Sequence, residues 1–228
     1  MREHGFTLIE LLVSMAIFGI LIAAVLNFQS SAMKTSGVMG NQATRLQTIS
    51  DVTGYVGDRV KTARTVYAAS TTVGGATCDI TATPACLAIE VPVLGTVGDC
   101  AGLIVGWQKV AYRYVLWSSL AATERTPMAG ISSVAYAMQE IRGAASGDYI
   151  SVTTNCTIAN QPAAPTVTTT SLLDDTLALT SGHAAFAYTA TTKTVTIKVR
   201  SVSATGGTLR YSPTTGPYIL TIFARNVL

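Results

Sequence analysis

The strongest constraint on this chain lies at its start. The polar leader MREHG is followed by a near-unbroken apolar run of 21 residues, Phe6 to Leu26. A helix crossing a bilayer needs about 20 apolar residues, and this run supplies them. A secretory signal has an apolar core of about 7–15 residues and then a small-residue cleavage site. Here the run is longer and no clean Ala-x-Ala site follows, the small residues near Ser31-Ala32 being a weak substitute. The reading is therefore a retained anchor. One carboxylate, Glu10, sits inside it. A charge in hydrocarbon costs about 2.5–3.5 kcal/mol on insertion scales, so Glu10 requires a partner or a function. Arg2 and His4 precede the run and Lys34 follows it, a small charge bias toward a cytoplasmic N-terminus.

Apolar residues make up 49% of the 228-residue chain and charged residues 12%. Soluble domains average about 25% charged, and part of the difference is the anchor. What remains is a body of about 165 residues rich in Thr, Ser, Ala, Gly and Val, enough for one domain with its own core. The formal net charge of +3 does not argue for nucleic acid by itself. Cys78, Cys86, Cys100 and Cys156 all lie beyond the apolar run, and an even count suits an oxidising compartment. Four cysteines allow three connectivities. Cys78 and Cys86 bracket DITATPA, a loop that can close locally, which leaves Cys100 with Cys156; this is the preferred pairing. No CxxC occurs and His183 is the body's only histidine, so no zinc site or other metal is expected.

The helical pattern continues beyond the anchor. No proline occurs before Pro84, and Leu46, Ile49, Val52 or Thr53, Val56, Val60 and Ala63 recur at spacings of three and four. Arg45, Gln47, Asp51, Asp58, Arg59 and Lys61 occupy the other face, giving an amphipathic helix with a core-facing stripe. Residues 27–44 are polar and contain Gly37 and Gly40, where the helix is expected to bend or melt locally. A continuous helix from Phe6 to Arg64 would be near 90 Å long at about 1.5 Å per residue. Strand patterns follow at 87–93, demoted toward an edge by Pro92, and at 109–117, 149–153, 184–189, 194–200 and 218–225. The strands at 184–189 and 194–200 form a hairpin around 190–193. Residues 133–141 fit a strand or a short helix, and 157–171 read as a loop. One helix followed by many strands predicts an α+β fold, a long helix packed on a mostly antiparallel sheet.

Gly5-Phe6-Thr7-Leu8-Ile9-Glu10 at the head of a full apolar span resembles the class III signal of type IV pilins, type II secretion pseudopilins and related prepilins. The resemblance implies cleavage by a prepilin peptidase between Gly5 and Phe6 and N-methylation of the new Phe6 amine. It implies an assembly role for Glu10, which is one turn from Phe6 and pairs with the Phe6 amine either within the chain or between neighbouring subunits. Leu46, Gly57-Asp58-Arg59-Val60, Val110-Ala-Tyr-Arg-Tyr-Val115 and Ile222-Phe-Ala-Arg-Asn-Val-Leu228 resemble, more loosely, minor pilins of the PilW/PulJ type. The implied organisation is a leader at 1–5, a membrane half of the helix at 6–28, its amphipathic half at 29–65 and an external β-rich domain at 66–228. Implied partners are other major and minor pilins or pseudopilins, the prepilin peptidase and the inner membrane before assembly. The implied location is a single inner-membrane pass and then a surface filament. Many type IV pilins carry a proline part-way along this helix; this chain does not.

No P-loop, GxSxG, HExxH or EF-hand pattern is present, and no cofactor or enzymatic activity is expected. Gly74-Gly75 and Gly206-Gly207 read as turns. Asp174-Asp175 reads as a solvated loop pair rather than a cation site. Any His-dependent triad would need His183, which reads as part of a turn. Trp107, Trp117, Tyr112 and Tyr114 fit core and cross-strand pairs better than stacking on bases or sugars. The expected function is a minor pilin acting in filament assembly, with twitching, adhesion or DNA uptake as outputs. The alternatives are a minor pseudopilin of type II secretion and, in the binding class, a filament-presented adhesin or DNA-binding subunit using exposed aromatics or cations such as Arg200 and Arg210.

Overall fold

The computed structural model describes residues 8–95, 100–125, 134–144, 147–151, 168–179, 185–205 and 208–226. The first element is a single α-helix, α1, Leu8–Thr62, with Glu10 in its first turn and Arg59 and Lys61 in its last. Those charges complement the helix dipole at both ends. Gly37 and Gly40 lie inside the helix, which continues through them. Contacts divide the chain into two compact units, with the boundary between Thr44 and Arg45.

Within the second unit, Ile49, Val52, Thr53, Val56, Gly57 and Val60 form the buried stripe of α1. Their spacing of three and four is that of one helix face. Leu46, expected in this stripe, is 41% exposed, so the packed face begins one turn later. The Thr53 hydroxyl donates to the Ile49 carbonyl at 2.7 Å, which satisfies it inside the core. A Cβ on Gly57 would stand 3.4 Å from Ile222 and 3.5 Å from Leu220. The missing side chain lets the helix sit close to the last strand.

The strands are β1 (Thr65–Val66), β2 (Thr71–Val73), β3 (Ala76–Cys78), β4 (Cys86–Leu94), β5 (Ile104–Leu116), β6 (Tyr136–Arg142), β7 (Tyr149–Ser151), β8 (Thr169–Ala178), β9 (Phe186–Thr189), β10 (Thr194–Thr205), β11 (Thr208–Ser212) and β12 (Tyr218–Phe223). The main sheet runs β1-β4-β5-β6-β8-β10-β11, with β7 on β5 and with β9 and β12 on β10. All these pairings are antiparallel. The expected α+β fold, a long helix with a mostly antiparallel sheet, is the observed one. The 12-residue β10 serves two neighbourhoods: its first half lies between β9 and β12, its second between β8 and β11. The core joins the α1 stripe to Leu87, Ile89, Val110, Tyr112, Met138, Leu177, Val195, Ile197 and Phe186.

The opposite face of β4 and β5 is covered by the β2–β3 hairpin. Val73 and Cys78 pack there on Cys86, Ala88, Ala111 and Ile141. Strand β4 is therefore buried on both faces along 86–91, which is why its sequence does not alternate. Gly74 and Gly75 have φ of +57° and +82°, and the two-residue turn they form needs that freedom. Cys78 and Cys86 are disulfide-bonded, as expected. Cys100 is also in a disulfide and fully buried; Cys156, its expected partner, lies outside the described residues. Closing so short a loop constrains the unfolded chain by about 2–3 kcal/mol. The variant Cys78→Ala/Cys86→Ala should therefore melt roughly 4–12 °C lower at about 2–4 °C per kcal/mol. Differential scanning calorimetry in detergent checks this, and an unchanged midpoint would contradict it.

Several elements differ from the expectations. Pro92 lies inside β4, which is not an edge strand. β1 pairs only with Ile89 and Glu90, so beyond that point the side of β4 away from β5 is locally open and a missing N–H is tolerated. Of residues 133–141, Tyr136 to Ile141 lie in the strand β6 rather than a helix, because pairing with β5 and β8 on both sides fixes it, and 133 lies outside the described residues. The threonine run read as the end of a loop opens β8, and residues 157–167 of that loop lie outside the described residues. Asp174-Asp175 is thus in a strand, not a solvated loop, and Asp174 is buried. β1, β2, β3 and β11 were too short or too weakly patterned to stand out.

Candidate functional site

The feature that sets this chain apart chemically is the first part of α1. Leu8, Ile9, Leu11, Leu12, Val13, Met15, Ile17, Phe18, Ile20 and Leu21 are all exposed. An 18-residue window here has a mean hydropathy of 2.6 with none of it buried, which makes the helix long and apolar enough to cross a membrane. So large an apolar surface is not stable in water and calls for lipid or protein around it. Ser14 donates to the Leu11 carbonyl at 2.9 Å, so its hydroxyl is satisfied within the helix. Glu10 stands in the first turn of the helix beside Ile9, Val13, Ser14 and Ile17, a charged group in an apolar setting. Gly5 and Phe6 lie outside the described residues.

The body contains two buried carboxylate clusters that sequence reasoning missed. Glu140 on β6 accepts from Tyr55 of α1 (2.9 Å), Tyr112 of β5 (2.8 Å) and Arg142 Nε (2.7 Å). Arg59 and Arg142 also donate to the Tyr55 oxygen, at 3.4 and 3.3 Å. Glu90 on β4 accepts from Arg64 Nε and Nη2 (3.1 and 2.9 Å) and from Tyr67. Arg64 in turn lies 4.8 Å over the Trp107 ring. Burial works against ionising Glu90, but Tyr67 and Arg64 outweigh it and hold the carboxyl below its ordinary value. For Glu140, burial is likewise outweighed by Arg142, Tyr112 and Tyr55. Burial and then the neighbouring carboxylate push the Tyr112 phenol well up, so it stays protonated as a donor.

Both clusters are saturated by donors that bridge helix to sheet or strand to strand. That arrangement clamps the fold; it does not leave a carboxylate poised to take a substrate proton. The signal for them in the sequence is a lone glutamate within an apolar strand, Leu87-Ala-Ile-Glu90-Val, and Met138-Gln-Glu140-Ile. Asp174 Oδ1 accepts from the Thr176 N–H and hydroxyl at 2.7 and 2.8 Å. Among the described residues no group of three His, Cys, Asp or Glu side chains could hold a metal. His183 lies outside those residues. Tyr112 and Tyr114 are buried in the core. Trp117 lies under Arg125 at 5.1 Å.

Residues 1–26 match the family of the prokaryotic N-terminal methylation motif. No curated protein and no solved structure matches the chain.

Proposed function

We propose that this chain is a minor pilin of a type IV pilus-like filament, loosely of the PilW/PulJ type, built into the filament after removal of its leader. The chain carries the N-terminal motif of type IV pilin-like prepilins, and proteins with that motif are filament subunits. The observation that carries the proposal is this motif at the head of an exposed apolar helix with Glu10 inside it. Gly5 and Phe6 form the cleavage point and Phe6 receives the methyl group. Residues 6–28 hold the subunit in the inner membrane with the N-terminus cytoplasmic. The part from 66 to 228 is external, where its disulfides are stable. A minor pseudopilin of type II secretion shares the same motif and is the second reading. Gene neighbourhood separates the two.

Mass spectrometry of the N-terminus tests the reading. In cells with an active prepilin peptidase the mature chain should begin at N-methylated Phe6. Gly5→Val, which puts a branched side chain at the cleavage point, should leave the leader intact. An intact leader on the wild-type chain in such cells would overturn the proposal.

A further inference from the structure

Charge is segregated along this chain. Residues 1–175 carry ten Lys or Arg against twelve Asp or Glu, whereas residues 176–228 carry five cations and no Asp or Glu. The fold gathers that segment into β9, β10, β11 and β12. In the first half of β10, Val195, Ile197 and Val199 are buried in the core. By strand alternation Thr194, Thr196, Lys198 and Arg200 point the other way. The register sets Thr189 and Phe223 beside Thr194, Ala187 and Thr221 beside Thr196, and Ile219 beside Lys198. This outward face meets solvent, with Ile219 56% and Phe223 63% exposed.

Lys193 sits at the turn before β10 with φ of 50°, and Arg225 follows β12. The Ala224 N–H donates to the Lys193 carbonyl at 2.9 Å, which brings those two cations to one end. Lys198 lies further along, and Arg200 at the far end stacks on Tyr211 at 4.6 Å. From Lys193 to Arg200 is about 23 Å at roughly 3.3 Å per residue. Arg210 pairs in register with Ser203, and so lies on the opposite face from Arg200. Arg200 and Arg210, the two cations named as examples from the sequence, do not share a surface, and Arg200 is engaged with the carbonyls of Pro213 and Thr214.

We propose that the outward face of β9, β10 and β12 binds a nucleic-acid phosphate backbone without reading its sequence. A row of cations interleaved with threonine hydroxyls suits a linear run of phosphates, which recur once per about 3.4 Å of helix axis on each strand of a duplex. No carboxylate lies on these strands; Asp58 of α1, which lines one pocket with Thr221, Phe223 and Arg225, is paired with Lys61 at 2.8 Å. Among the described residues the face is made of strand side chains paired in register, which suits contacts to the backbone that set position only. An anionic membrane is met instead by a compact cluster of basic residues. The inference rests on the sheet alone and stands apart from the filament reading, which is tested at the N-terminus.

The test is fluorescence anisotropy with the full chain in a neutral detergent, using a labelled random-sequence duplex and a single strand of equal length. With about three or four phosphates neutralised, affinity for the duplex should fall on the order of 100-fold between 50 and 200 mM salt. Lys193→Gln/Lys198→Gln/Arg225→Gln should abolish most of that slope and leave the melting temperature unchanged, since Lys193 and Arg225 are exposed and Lys198 is not buried. Arg210→Gln removes the same kind of charge from the other face and should change affinity by no more than about 3-fold, the non-local share of one cation. Tighter binding of the single strand, reduced by Phe223→Ala, would identify stacking on Phe223 as a further contribution to the same backbone contact. The proposal is overturned by absence of binding at 50 mM salt or by a triple variant that binds like wild type. Arg210→Gln weakening binding as much as Lys198→Gln overturns it too, as does equal affinity for anionic lipid vesicles or an acidic polysaccharide.

Discussion

Replacing Glu140 with alanine should lower the melting temperature of the chain by roughly 6–12 °C, from a loss of about 3 kcal/mol at about 2–4 °C per kcal/mol. The carboxylate is the common acceptor for Tyr55, Tyr112 and Arg142, and its side chain is only 3% exposed. Alanine strands the hydroxyl of fully buried Tyr112, and an unsatisfied buried donor costs about 1–3 kcal/mol. Breaking a buried ion pair costs about 3–5 kcal/mol, but Arg142 is 39% exposed and recovers part of that from water. Glu140→Gln keeps an acceptor for the phenols and should lose roughly half as much. A shift below about 2 °C for Glu140→Ala, within the range of an ordinary surface substitution, would show that the cluster does not clamp the helix to the sheet.

The same cluster has a pH signature. Glu140 and Glu90 are both held below their ordinary value, so the native state binds fewer protons than the unfolded chain near pH 4. Their stabilisation is complete above the unfolded value of about 4.3. It is lost as pH falls through the lower folded values. The acid limb of stability against pH should therefore flatten in Glu140→Gln and again in Glu90→Gln.

How far the fold could be read from the residues depended on whether local pattern or distant pairing decided each element. α1 was legible because apolar spacing and the absence of proline act locally, and Lys109 to Trp117 alternates strongly enough to mark most of β5. The hairpin of β9 and β10 was legible from its turn. β1 and β2–β3 were not, because strands of two or three residues exist only where β4 or the Cys78–Cys86 bridge holds them. β8 was missed because a threonine run followed by two aspartates has the composition of a loop. Its strand state comes from pairing with β6 and β10. Burial of Glu90 and Glu140 depends on tyrosines that are 23, 28 and 85 residues away, a relation no local window contains. The N-terminal motif is the reverse case: its meaning is carried by six adjacent residues.

Glu10→Val should leave membrane insertion and leader removal intact while sharply reducing incorporation into filaments. The variant removes a charge from an apolar segment, a change worth about 2.5–3.5 kcal/mol in favour of the membrane-inserted helix. Nothing in that substitution alters Gly5 or the leader, so processing should persist. In the filament the proposed partner of Glu10 is the cationic amine of Phe6 on a neighbouring subunit. Without the carboxylate that amine is left unpaired among apolar side chains, a penalty of several kcal/mol, on the order of 10²–10³-fold in the assembly equilibrium. Glu10→Gln offers hydrogen bonds without charge and should fall between the two. The measurement is the ratio of chain in sheared filament fractions to chain in membranes, with N-terminal mass spectrometry as the control for processing. Incorporation of Glu10→Val at the wild-type level would remove the pairing.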